Sequence, residues 1–199
     1  MALVIVGLGN PGKEYEKTRH NAGRSAVEFI AKQSGFGDFV FNKTNNALIA
    51  KGELEDEKTV LVLPETFMNS SGKAVMAIVK TPKAAKNMLV IHDDLDLPLG
   101  TIKMVFGRGS GGHKGVESIV RAVKTKEFAR IRIGISPKSG PAFAKVTAGK
   151  EEKVIKMVLG KWKPAEELVV KKVLKKVAEA VHIFATSGIE SAMLFANTR

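Results

Sequence analysis

Short runs rich in valine and isoleucine, alternating with stretches whose apolar residues recur at three and four, constrain this chain more than any other feature. Ala2 to Val6, Ala47 to Glu53, Lys58 to Leu63, Met88 to His92, Thr101 to Phe106 and Arg130 to Ile135 read as strands, and near-continuous apolar runs of this length suit strands buried on both faces. Between them Ala22, Ala26, Phe29, Ile30 and Gln33 predict a helix closed by Gly35, and further helices are predicted over Ser71 to Val79 and His113 to Val123. The Glu53-Leu-Glu-Asp-Glu-Lys58 segment reads as an exposed acidic hairpin turn. Such alternation predicts an α/β fold: a single domain over residues 1–199 with a mixed, mostly parallel twisted sheet, helices on both faces and one antiparallel excursion at the hairpin. Near the carboxyl end Leu168, Val169, Val173, Leu174, Val177, Ala180, Val181 and Phe184 form the apolar stripe of an amphipathic helix expected to pack on the sheet. Ser139 to Lys150, with two glycines and a proline, reads as a mobile loop.

Composition narrows the function. The longest apolar runs are broken by charge after a few residues, short of the ~20 that span a bilayer. Met1 leads into a strand without a basic region or a small-residue cleavage site, so a cytoplasmic protein with no membrane association is expected. The absence of cysteine excludes disulfides, thiolate catalysis and Cys-ligated metals. The net charge of +12 favours a polyanionic partner. From Thr101 to Lys138 nine basic residues face only Glu117 and Glu127, a local net of +7, so more than half the excess lies in one stretch. A second basic block, Lys150 to Lys176, falls on predicted helix and reads as a solvated face.

Gly7, Gly9 and Gly12 spell the dinucleotide fingerprint G-x-G-x-x-G. The fingerprint requires its third glycine where a helix opens, so that pyrophosphate meets the helix N-terminus. Here Lys13 to Arg19 is charged and without apolar spacing, and the helix is expected only near Asn21. Gly107-Arg-Gly-Ser-Gly-Gly-His-Lys-Gly115 resembles a phosphate loop but carries His113 and Lys114 where a P-loop has Lys and Ser or Thr. Pattern alone leaves open a phosphate cradle or a tight turn. Asp93, Asp94 and Asp96 fail as a Ca²⁺ loop because Pro98 and Leu99 fall at its fifth and sixth positions. No metal is expected, and no G-x-S-x-G elbow is present.

Polar residues just beyond predicted strand ends remain: Asn10 and His20, Asn69, Asp93, and His113. Strand ends along one edge of an open α/β sheet converge on one crevice. His20 with Asp93 would form a base and its orienting carboxylate, while Asn10 and Asn69 would supply amide donors for water or a developing oxyanion. The structural alternatives are that Asn69 caps a helix and Asp93 bonds turn amides.

Val6-Gly-Leu-Gly-Asn-Pro-Gly12 continuing to Thr18-Arg-His-Asn-Ala-Gly23, Thr66-Phe-Met-Asn-Ser-Ser-Gly-Lys-Ala-Val75, His92-Asp-Asp-Leu-Asp-Leu-Pro98, Gly111-Gly-His113 with Gly115, and Arg130-Ile-Arg-Ile-Gly134 resemble bacterial-type peptidyl-tRNA hydrolases in order and spacing. The resemblance implies a monomer that hydrolyses the ester between a peptide and the terminal ribose of tRNA. It implies His20 as the base, Asp93 holding its imidazole, Asn10 near the terminal nucleotide and peptide, and Asn69 at the scissile ester. Phe67 and Tyr15 would contribute to substrate binding, as would His113. Lys103, Arg108 and Arg132 would hold acceptor-stem phosphate. One base, one water and amide donors suffice for an ester, so no cofactor is expected. The sequence departs from the family pattern in Lys114, where an asparagine is usual and which is expected to contact tRNA phosphate instead, and in Val105, where a cation is usual. A non-catalytic RNA-binding protein on the same fold is the alternative function.

Overall fold

The computed structural model describes residues 2–137 and 150–198. The Ser139 to Lys150 loop reading therefore lies outside the described residues, apart from Lys150. The strands are β1 (Leu3–Gly7), β2 (Val40–Asn42), β3 (Ala47–Leu54), β4 (Glu57–Pro64), β5 (Met88–Pro98), β6 (Ile102–Phe106) and β7 (Ala129–Ser136). The helices are α1 (Ala22–Gln33), α2 (Ser71–Met76), α3 (Pro82–Ala85), α4 (Lys114–Val123), α5 (Lys150–Val158) and α6 (Pro164–Asn197). The sheet runs β2-β3-β4-β1-β5-β7-β6. Its central strands β4, β1, β5 and β7 are parallel, and antiparallel strands flank them on both sides.

Alternation along the buried strands divides the core in two. Leu3, Ile5, Leu89, Ile91, Ile131 and Ile133 pack with α1 and α6. Val4, Val6, Met88 and Val90 pack with Ala74 and Val75 of α2 and Val116, Ile119 and Val123 of α4. Both faces are covered, as the apolar runs require. Glu55 and Asp56 take positive φ (48° and 64°) at the β3–β4 turn, the backbone twist a two-residue hairpin demands. Helix α1 approaches β5 closely at Gly23, where an added Cβ would run into the Ile91 carbonyl.

The differences from the sequence reading are local. Strand β2 is three exposed residues, too short to leave an alternating pattern. Strand β6 runs antiparallel to β7, a second antiparallel excursion. Helix α3 is one turn, with Pro82 at its start and the Thr81 hydroxyl accepting from the Ala84 N–H. Strand β5 continues six residues past His92 to Pro98, pairing with β7 at Asp93 and Asp94 and again at Pro98 across an irregularity in register. Helix α6 extends well beyond its predicted stripe and bends at Gly188 (φ 78°). Its last residue, Asn197, exchanges hydrogen bonds with the Met104 backbone at 2.9 and 3.0 Å. That contact satisfies part of the exposed edge of β6. Among the described residues no helix is long and apolar enough to cross a membrane.

Candidate active site

The carboxyl ends of β4, β1 and β5 lie side by side, so the segments leaving them share one crevice. From β1 comes Asn10. Its side-chain Oδ1 accepts from the Met68 N–H at 2.8 Å, drawing the turn that follows β4 against the loop that follows β1. The Asn10 backbone is fixed in turn by a reciprocal pair with the Asn21 side chain, both bonds 2.9 Å. With Oδ1 engaged, the Nδ2 hydrogens of Asn10 have no protein acceptor among the described residues. Asn69 is exposed in the Met68–Ser70 turn. It caps no helix, since Ser70 is the cap of α2. Phe67 is 61 % exposed beside it and meets Tyr15 edge-on at 6.4 Å.

Asp93 is the hub. It is buried, and it bonds imidazoles, not turn amides. His20 Nδ1 lies 3.0 Å from both carboxylate oxygens, and His113 Nε2 lies 2.9 Å from Oδ1. The His113 ring also caps α4: its Nδ1 accepts from the Gly115 and Val116 N–H groups at 3.2 and 3.4 Å. An imidazole nitrogen that accepts carries no proton, so the His113 proton sits on Nε2 and points at Asp93. His20 likewise donates through Nδ1, which leaves its Nε2 lone pair free and only partly covered. A neutral imidazole so oriented can take a proton from water.

The charges agree with this geometry. Burial opposes the charged form of His20, but the Asp93 charge and hydrogen bond outweigh it and raise its pKa above the ordinary value, with Lys114 pulling the other way. Burial also opposes charge on Asp93, yet the two imidazoles hold its carboxyl well below the usual carboxylate range. His20, Asp93 and His113 bring three potential ligand atoms within 4.8 Å of one another. They do not fit a metal ion, because helix amides lock His113 with a proton on the nitrogen that would have to ligate.

Behind the hub lie two residues the sequence reading passed over. His92 donates from Nδ1 to the Asp93 carbonyl at 2.7 Å, and its Nε2 faces Arg130 Nη1 at 2.9 Å. Burial, then His113 and Arg130, push the His92 pKa far below its ordinary value, so it stays neutral. Arg130, only 3 % exposed, donates onward to the Arg108 and Gly109 carbonyls at 3.3 and 2.6 Å. Burial lowers its pKa to about 10, with Arg132 adding to the shift. It thus secures the glycine-rich turn, in which Gly107, Gly111 and Gly112 all have positive φ. The phosphate-cradle reading of this turn fails at the helix itself, because the His113 ring already occupies the first free amides of α4. The dinucleotide reading fails too: Gly12 opens a single 3-10 turn over Lys13–Tyr15, and α1 begins only at Ala22.

Of the cations, Lys103 and Arg132 are directly paired across β6 and β7. Arg132 Nε also bonds Asp94 Oδ2 at 2.6 Å, which offsets part of its charge. Lys103, Arg108 and Lys114 are exposed. Arg130 pairs with Val105 in register but is buried, so it does not substitute for a surface cation there.

Fold and site together define an α/β protein with two histidines sharing one buried carboxylate at the carboxyl edge of the central parallel strands. The chain belongs to the peptidyl-tRNA hydrolase family, whose model matches residues 4–199. It is 38% identical over 197 residues to the peptidyl-tRNA hydrolase of Prochlorococcus marinus, covering 98% of this chain and 93% of that one. It is 42% identical over 192 residues to the Koribacter versatilis peptidyl-tRNA hydrolase, covering 96% and 90%. The crystal structure of peptidyl-tRNA hydrolase from Acinetobacter baumannii superposes with a TM-score of 0.86 at 33% identity, covering 99% of this chain and 95% of that one.

Proposed function

We propose that this protein hydrolyses the ester joining a peptide, or an N-blocked amino acid, to the terminal ribose of tRNA. One observation carries the reading: Asp93 takes the Nδ1 side of His20, which leaves the Nε2 lone pair to accept a proton from water. His20 removes a proton from water as the water oxygen adds to the ester carbonyl. Asp93 stabilises the imidazolium so formed. The tetrahedral adduct then expels the ribose oxygen, which takes the proton back from His20, leaving free tRNA and a peptide carboxylic acid that releases its remaining proton to solvent. Asn10 and Asn69 orient the ester and its peptide through their amides, His113 fixes Asp93, and Tyr15 and Phe67 line the peptide site. Lys103, Arg108, Lys114 and Arg132 attract acceptor-stem phosphate, which gives affinity without base specificity. The protein acts as a monomer in the cytoplasm.

Single-turnover cleavage of an N-acetyl-aminoacyl-tRNA, set against the unblocked aminoacyl-tRNA, tests this. The wild type is expected to cleave the blocked substrate preferentially, and His20→Ala to lose most turnover while binding tRNA almost as well. Full activity in that variant refutes the base assignment. Tight, salt-sensitive tRNA binding by a wild type that cleaves neither substrate selects the non-catalytic RNA-binding alternative.

A further inference from the structure

His20 is the middle residue of a single 3-10 turn, Arg19–Asn21. Three residues have no cooperative rigidity of their own, so a base placed there depends on what holds its neighbours. On one side is Asn21, reciprocally bonded to Asn10. On the other is Arg19, which is only 7 % exposed and reaches a segment far away in sequence.

The backbone of Lys17 to Arg19 lies against the junction of α5 and α6. Arg19 N–H donates to the Gly160 carbonyl at 3.0 Å, the Trp162 N–H donates to the Lys17 carbonyl at 3.3 Å, and Thr18 and Lys161 form an isolated antiparallel bridge. The Arg19 side chain reinforces the join. Its Nη1 donates to the Lys161 carbonyl at 2.6 Å, its Nη2 contacts both Glu166 oxygens at 2.9 and 2.6 Å, and its guanidinium stacks over Trp162 at 4.8 Å. Glu166 is also the third residue of α6 and accepts from the Lys163 N–H at 2.8 Å. One carboxylate therefore closes the first turn of α6 and grips the residue beside the base. The Nε hydrogen of Arg19 is buried without an acceptor among the described residues, so the side chain is held where it lies at the expense of complete hydrogen bonding.

We propose that Arg19, Glu166 and Trp162 form a latch that positions His20, making Arg19 a positioning residue and coupling the α5–α6 junction to the hydrolytic step. The inference rests on the reading of His20 as the base. Charge-assisted bonds in a planar fork fix a neighbour's backbone more tightly than a point charge does. A displacement of the base by 1 Å costs about 10²-fold in rate. Arg19, Glu166 and Trp162 are not among the cations proposed to hold phosphate, and the Arg19 charge is already engaged by Glu166, so tRNA affinity is expected to change little.

Arg19→Lys, Glu166→Gln and His20→Ala, assayed for kcat and KM on N-acetyl-aminoacyl-tRNA across pH, test it. For Arg19→Lys, kcat is expected to fall about 10- to 100-fold, and for Glu166→Gln by a smaller factor, with KM nearly unchanged in both and near-UV circular dichroism native. The acid limb is expected to move down toward the ordinary imidazole value as His20 loosens from Asp93 on β5, with His113 and Lys114 on the α4 side unaltered. A purely structural ion pair would lower the melting temperature and leave kcat and the limb in place, and that result overturns the latch. A loss confined to KM overturns it as well. If Arg19→Lys does not fold, Glu166→Gln decides by the same criteria, since it keeps the side-chain shape. If His20→Ala retains turnover, the base assignment fails; if His20→Ala is inactive while both latch variants match the wild type, only the latch fails.

Discussion

Replacing Asp93 with Asn changes one atom and tests the hydrogen-bond logic of the hub. In the wild type Oδ1 accepts from both His20 and His113, while Oδ2 serves His20 alone. An amide has only one oxygen to place. The amides of Gly115 and Val116 hold the His113 proton on Nε2, so the oxygen is drawn to the Oδ1 position. The NH₂ group then stands where Oδ2 was, 3.0 Å from His20 Nδ1. His20 relieves the conflict by accepting there, which moves its proton to Nε2 and removes the lone pair proposed to activate water. The analogous Asp→Asn change in a serine protease triad lowers kcat about 10⁴-fold by imposing the wrong tautomer, equivalent to roughly 5 kcal/mol of barrier. A loss of about 10³- to 10⁴-fold is expected here.

The pH profile supplies an independent sign. Without the carboxylate, the influences left on His20 are burial and Lys114, both of which lower its pKa. The residual activity is therefore expected to persist to lower pH, its acid limb falling from above about 6.5 to below it. Because His113 sets the amide's orientation, adding His113→Ala to Asp93→Asn is expected to cost less than His113→Ala costs alone. Single-turnover cleavage measured from pH 5 to 9 reads all three quantities. More than a tenth of wild-type activity in Asp93→Asn, an unmoved acid limb, or strictly additive losses would refute the shared-carboxylate scheme.

Lys114→Asn removes the cation that lowers the His20 pKa, so its acid limb is expected to shift to higher pH, and its KM to rise most at low salt; a KM that responds equally at all salt concentrations argues against phosphate contact. Substituting Lys103 is expected to weaken tRNA binding uniformly across sequences and to reduce the slope of log affinity against log salt by about one, whereas Arg132, already paired with Asp94, is expected to contribute less than one; titrations at several salt concentrations compare them. Gly23→Ala drives a Cβ into the Ile91 backbone and is expected to cost about 3 kcal/mol or more, seen as a fall of roughly 6–12 °C in melting temperature; an unchanged melting temperature would contradict the close packing of α1 on β5.

The sequence by itself determined the architecture and most of the crevice. The two periodicities, two for half-buried strands and 3.6 for helices, are local properties of a chain, so strands and helices could be read wherever a run was long enough to show one. Once the central strands are parallel, chain order brings Asn10, Asn69 and Asp93 to one edge. Tertiary structure decided what each polar group does there. Asp93 meets His113 across 20 residues, and Arg19 meets Glu166 across 147; no local pattern encodes such a choice of partner. It also decided that Asp94 offsets Arg132 and that the His113 ring fills the end of α4 that a phosphate would need. A buried polar group must find a partner within about 3 Å, and which one lies that close is settled only when the chain is folded.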